Sequence, residues 1–189
     1  MNYTREEALD FLNKHVKSLS LTGHCMAVEA SMRGYAKHFS EDVERWGMCG
    51  LLHDIDFELY PEDHPIPGLD ILRKEGFDEE FIRAVQGHAS ENKELRDTNM
   101  AKTLYAVDEL SSFVIACVLV RPNKFDGLKL KSVKKKLKDK AFAKAVNREN
   151  IKDSADELGV DLSEHIQIVI DSLVDREKEL NAQNMSLIG

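Results

Sequence analysis

Apolar residues along this chain recur at steps of three and four, a period that predicts helices. Alternating β-branched runs are few, and no Asn-Gly or Asp-Gly turn joins two of them. Thr4, followed by Glu6 and Glu7, opens a helix to about Lys17. Thr22 caps a second, to about His38, with Cys25, Val28, Met32 and Tyr35 as its inner stripe and His24 near its first turn. Ser40, ahead of Glu41, Asp42 and Val43, starts a third that carries Trp46 and Leu51 and ends near His53-Asp54. A loop holding Pro61, Pro65 and Pro67 follows. Gly68 to Lys74 and Asp78 to His88 read as two shorter helices parted at Gly76. Asn99 to Val120 is the most apolar helix, and Pro122 stops it. Lys129 to Ala145 is a basic amphipathic stretch, with Val133, Leu137 and Ala141 at four-residue spacing. Asn147 to Leu158 and Leu162 to Leu180 complete the series around Gly159. The predicted class is all-α: a core over residues 1–125, and a helical extension over 126–189 that packs on it as one domain.

Composition narrows the classes of function. Of the 189 residues 42% are hydrophobic, enough for a real core, and 32% are charged, which suits helices with solvated outer faces. A net charge of −8 makes nucleic acid and anionic membranes poor partners. Cys25, Cys49 and Cys117 are scattered, with no C-x-x-C, as in a reducing compartment. The longest apolar run, Phe113 to Val120, is eight residues, against about 20 for a membrane span. With no apolar signal core in the first ten residues, the expectation is a soluble, cytoplasmic protein.

Four of the seven histidines stand out by setting. His53 and Asp54 sit side by side where a core helix runs into a loop, and imidazole with carboxylate suits Zn, Fe, Mn or Co rather than Ca. Asp108 lies inside the most apolar helix; it is either ligated or part of a polar edge with Ser111 and Ser112. His24 near a helix start, taken alone, reads as a surface or capping residue more readily than as a ligand. His64, in Asp63-His64-Pro65, reads alone as exposed, and His88 shares a face with Phe81 and Val85 as core residue or ligand.

Taken in order, His24, His53-Asp54 and Asp108 resemble the H…HD…D pattern of the HD superfamily of metal-dependent phosphohydrolases. Gly50-Leu51-Leu52-His53-Asp54-Ile55 resembles the family's G-L-L-H-D-I, Gly23-His24-Cys25 its first histidine and Tyr105-Ala106-Val107-Asp108 its aspartate helix. The likeness spans about residues 20–125 and is closest to a branch of predicted hydrolases. It implies an HD-domain helical bundle with additional C-terminal helices. It also implies one divalent metal on His24, His53, Asp54 and Asp108, and a second on His64 and His88 with Asp54 bridging. The ion would be Fe, Mn, Co, Zn, Ni or Mg. The implied reaction is hydrolysis of a phosphate ester or anhydride, of a nucleotide for instance, by a metal-activated water, with Asp54 and His53 catalytic. Where relatives carry Gly and Lys after H-D-I, this chain has Asp56-Phe57-Glu58, so Lys102 and Arg121 stand as substitute phosphate contacts. Asp56, Glu58 and Glu109 are available for proton transfer. Two alternatives share the ligand set: an oxygen-dependent di-iron enzyme of the same type, and a non-catalytic nucleotide- or metal-binding module. The terminal helix either covers the core or forms a homodimer contact. The lysines at 129, 131, 134, 135, 136, 138 and 140 are a solvated helix face or a basic rim for an anionic substrate.

Overall fold

The structure, a computed structural model, describes residues 3–89 and 91–189. Among them it is all-α: α1 (Arg5–His15), α2 (Leu19–Phe39), α3 (Val43–Leu52), α4 (Ile66–Lys74), α5 (Glu79–Gly87), α6 (Asn99–Leu119), α7 (Leu130–Leu137), α8 (Arg148–Leu158) and α9 (Leu162–Asn181). A short 3-10 turn, Lys93–Leu95, precedes α6. No helix among the described residues is long and apolar enough to cross a membrane.

Thr4 begins α1 through a reciprocal cap: its hydroxyl accepts from Glu7 N, and the Glu7 carboxylate accepts from Thr4 N. Two expected caps are corrected. Ser18, not Thr22, caps α2, and Thr22 lies within the first turn, its N–H bonded to Ser18 O. The Glu58 carboxylate supports that start by accepting from Lys17 N and Ser18 N, each at 2.9 Å. Ser40, with φ 58°, ends α2 in the left-handed region; Asp42 then caps α3 through Glu44 N and Arg45 N. The basic stretch is also shorter than expected. Helix α7 stops at Leu137, because Arg148 gathers the carbonyls of Leu137, Asp139, Phe142, Ala143 and Val146 and winds the chain into turns. Its lysines are mostly exposed; Lys134 reaches Ser163, and Lys136 lies over the Phe142 ring.

Helix α2 is the centre of the core, with α3, α6 and α9 packed around it. Gly50 permits the close approach of α3: a Cβ there would stand 2.9 Å from the backbone of Val28 and Glu29. On α2 the buried Glu29 carboxylate is held by Arg5 of α1, at 2.7 and 2.8 Å, and by Arg33 of α2 at 3.0 Å. The C-terminal helices lie on this core: α8 packs on α6, and α9 on α2 and α6. Buried His165 ties α9 down, Nε2 donating to Ala106 O at 3.0 Å while Nδ1 accepts from the Tyr35 hydroxyl at 2.5 Å.

Candidate metal centre

Two helix ends orient two of the histidines. Helices α3 and α5 leave their last carbonyls without partners inside the helix. The residues that follow turn back onto them: His53 Nδ1 lies 2.8 Å from Gly50 O, and His88 Nδ1 bonds Val85 O. A carbonyl only accepts, so each Nδ1 carries a proton, and in the neutral ring each Nε2 presents its lone pair. His64 reaches the same state through a carboxylate, donating from Nδ1 to Asp56 Oδ1 at 2.7 Å. Asp56 is itself fully buried, its other oxygen accepting from Gly68 N at 2.8 Å. Gly68 leaves room for it, since a Cβ there would stand 2.8 Å from the carboxylate. His24, one turn into α2, has its Nδ1 2.9 Å from the Ser112 hydroxyl of α6.

The Nε2 atoms converge. His24 and His53 approach to 3.2 Å, and His64 and His88 to 2.9 Å. Asp54 lies between the pairs. Its Oδ2 is 3.4 Å from His24 Nε2, and its Oδ1 is 3.4, 3.3 and 3.5 Å from those of His53, His64 and His88. Asp108 Oδ1 closes one side, 3.1 Å from His24 and 3.7 Å from His53. Ligand atoms of His24, His53 and Asp108 lie within 4.8 Å of one another, as do those of His53, Asp54 and His88. Lone pairs facing lone pairs and carboxylates repel unless a proton or a cation sits between them. The donor set, imidazole and carboxylate without thiolate, fits a divalent transition metal or magnesium.

Electrostatics agree. Burial would raise the carboxyl groups of Asp54 and Asp108, yet the surrounding histidines hold both well below the usual range. Burial pulls His24 down, but hydrogen bonds and charge from Asp108 and Asp54 outweigh it and lift the ring to about 10. His88 is raised against its burial in the same way, mainly by Asp54. Without metal the carboxylates keep protons on these rings; a bound cation displaces those protons.

All six expected ligands therefore meet in one place, including His64, which the sequence alone reads as an exposed loop residue. Other expectations change. Both Asp56 oxygens are engaged, one by His64 Nδ1 and the other by Gly68 N. Glu58 is spent on the start of α2. Lys102 precedes Asp108 by six residues, about 240° round the helix, where its charge acts on Asp97. Arg121 donates to Lys124 O and Asp126 O just beyond the end of α6. Neither lines the cavity of about 200 Å³ beside the centre, whose walls are His88, Tyr105, Asp108, Glu109 and Asn150. Burial pushes the Glu109 carboxyl up, and one of its oxygens accepts from Asn147 N at 2.8 Å. Sequence reasoning missed Ser112, Asn150 and the role of Asp56. Four residues from Asp108 on its helix, Ser112 was visible by spacing; Asn150 gave no signal.

Comparison with known proteins gives matches over part of the chain. The model of the HD domain matches residues 21–112. Over 89 residues, 44% of this chain and 52% of the other, the sequence is 35% identical to a protein of Methanocaldococcus jannaschii described as uncharacterised. Over 147 residues, 74% of this chain and 43% of the other, it is 27% identical to a tRNA (cytidine(56)-2'-O)-methyltransferase of Thermoplasma volcanium. The chain thus spans about half the length of these curated relatives. No solved structure matches it.

Proposed function

Residues 21–112 form an HD domain, and from that premise we propose that the protein is a metal-dependent phosphohydrolase acting on a phosphate ester or anhydride. One observation carries the reading: three imidazoles whose Nδ1 groups are held by Gly50 O, Val85 O and Asp56 turn their Nε2 atoms, with His24 and two carboxylates, into one volume. His24, His53, Asp54 and Asp108 would hold one cation. His64 and His88 would hold a second, with Asp54 presenting an oxygen to each side. A divalent metal so bound lowers the pKa of water and polarises phosphoryl oxygens.

The chain's own residues do the rest. Gly50 O, Val85 O, Asp56 and Ser112 fix the rings, so that little reorganisation accompanies reaction. Tyr105, Glu109 and Asn150 shape the cavity where the substrate's phosphate enters, and Glu109 is the carboxyl positioned there to exchange a proton. Among the described residues no lysine or arginine lines that cavity, so bound cations would neutralise the phosphate. The HD match and the absence of any thiolate in the cluster support this reading over a structural zinc site.

The test is metal analysis and phosphate release for wild type and Asp54→Ala. The panel pairs nucleotides and simple phosphoesters with Mn, Co, Fe, Zn, Ni and Mg. Wild type should turn over at least one ester, and the variant should lose metal and fall by two orders of magnitude or more. A variant with full metal and full activity would remove the assignment. Oxygen uptake by the iron-loaded protein without phosphate release would assign oxygen-dependent chemistry to the same ligands.

A further inference from the structure

Beyond Asp108, α6 continues the same stripe through Ser112, Ile115, Ala116 and Leu119, at steps of three and four. Gly23, His24 and Ala27 of α2 face it, and Leu187 and Ile188 close the side. Together they enclose a groove of about 420 Å³, within the usual range for small-molecule sites. Gly23 keeps that wall close, because a Cβ there would stand 3.3 Å from Leu187 O. The groove abuts the metal centre at one side chain. His24 directs Nε2 at Asp108 and Nδ1 at Ser112, and both His24 and Ser112 line the groove. Two of its residues, Leu19 and Leu119, are 89% and 49% exposed. Such side chains open to water at the rim of a concave apolar surface mark a ligand site.

We propose that this groove holds the aliphatic chain of the substrate, whose phosphate lies at the metal centre. The substrate class is then a phosphate monoester of a medium- or long-chain aliphatic alcohol. The inference rests on the phosphohydrolase reading and specifies its substrate. From Asp108 to Leu119 the stripe runs about 16 Å, long enough for an extended chain and longer than a methyl or glyceryl group needs. The lining favours an aliphatic chain over a nucleoside: the Ser112 hydroxyl is engaged by His24, and apart from the exposed Ser20 the remaining side chains are chiefly aliphatic, offering a base or ribose few partners. In the reaction, water forms a new oxygen–phosphorus bond as the bond from phosphorus to the alcohol oxygen breaks. The alcohol leaves with one of the water's protons, and the hydroxyl stays on phosphate.

Steady-state kinetics on methyl, butyl, octyl and dodecyl phosphate, below their micellar concentrations, test this, with calorimetric binding of dodecyl phosphate alongside. Wild-type kcat/KM should climb with chain length, by up to about fourfold per buried methylene. Ala116→Trp, which fills the groove, should flatten the series and leave methyl phosphate unchanged. Leu119→Asp, at an exposed site, should lower only the longest esters. Hydrolysis of methyl phosphate with a flat wild-type series would overturn the groove and keep the phosphohydrolase. Binding of dodecyl phosphate by wild type but not by Ala116→Trp, with no ester cleaved, would uphold the groove and overturn the hydrolase. Neither binding nor cleavage would overturn both.

Discussion

His53 and His88 use the same device: each follows a helix and gives its Nδ1 proton to the carbonyl three residues back. His64 uses Asp56 in place of a carbonyl. At this scale the residues that converge were legible, because His24, His53, Asp54 and Asp108 occur in a known order with matching flanks. Their partners were not. The bond from His64 to Asp56 crosses an irregular loop, and that from His24 to Ser112 spans 88 positions, distances over which periodicity carries no information. Asp56→Asn keeps the shape but removes the charge that makes His64 a strong donor. Metal affinity at the His64–His88 side should fall about 10- to 100-fold, read as metal retained per chain against a chelator series. Unchanged retention would show that Asp56 does not support the ligand.

Helix α3 matters as an element because it must lie close enough to α2 for His53 to meet His24. Gly50 sets that distance. Gly50→Ala drives a methyl into the α2 backbone, and overpacking of this kind costs about 1–3 kcal/mol. The melting temperature should drop on the order of 5 °C, and metal affinity should fall with it, since the two histidines move apart. A melt within a degree of wild type with full metal would mean that α3 has slack. Helix identity was readable from period and caps for most of the chain. The failures were local: Ser40 and Thr22 are credible caps, and only the left-handed turn at Ser40 and the Glu58 bridge to Ser18 decide otherwise. Likewise the amphipathic run after Lys129 continues past Leu137 on paper, but Arg148, from beyond the run, captures its carbonyls.

In the whole molecule the C-terminal helices complete the site as well as the core. Asn150 of α8 enters the cavity at the metal centre, and Asn147 N steadies Glu109. Sequence predicted these helices and their packing on the core, but not which residues reach the site, which depends on matched surfaces and not on any pattern along the chain. His165 is the main polar clasp of α9, and burial holds it down at about 4, outweighing the hydrogen bond to Ala106 O. Unfolded, it titrates near the usual ~6.5, so between these values the unfolded chain binds the extra proton. The stability it protects is complete above about 6.5 and is lost as pH falls towards 4. Urea unfolding at pH 7.5 and pH 5 should show His165→Gln losing less stability than wild type, by on the order of 2 kcal/mol. An equal loss in both would place the acid sensitivity elsewhere.

The most direct measurement is anomalous diffraction from crystals soaked in manganese or zinc, collected at the metal edge. Two peaks should flank Asp54, one against His24, His53 and Asp108 and the other against His64 and His88, each about 2.0–2.2 Å from the imidazole Nε2 atoms. Peaks elsewhere on the chain, or none at full metal occupancy of the solution, would contradict a cation-gripping centre and the hydrolase built on it.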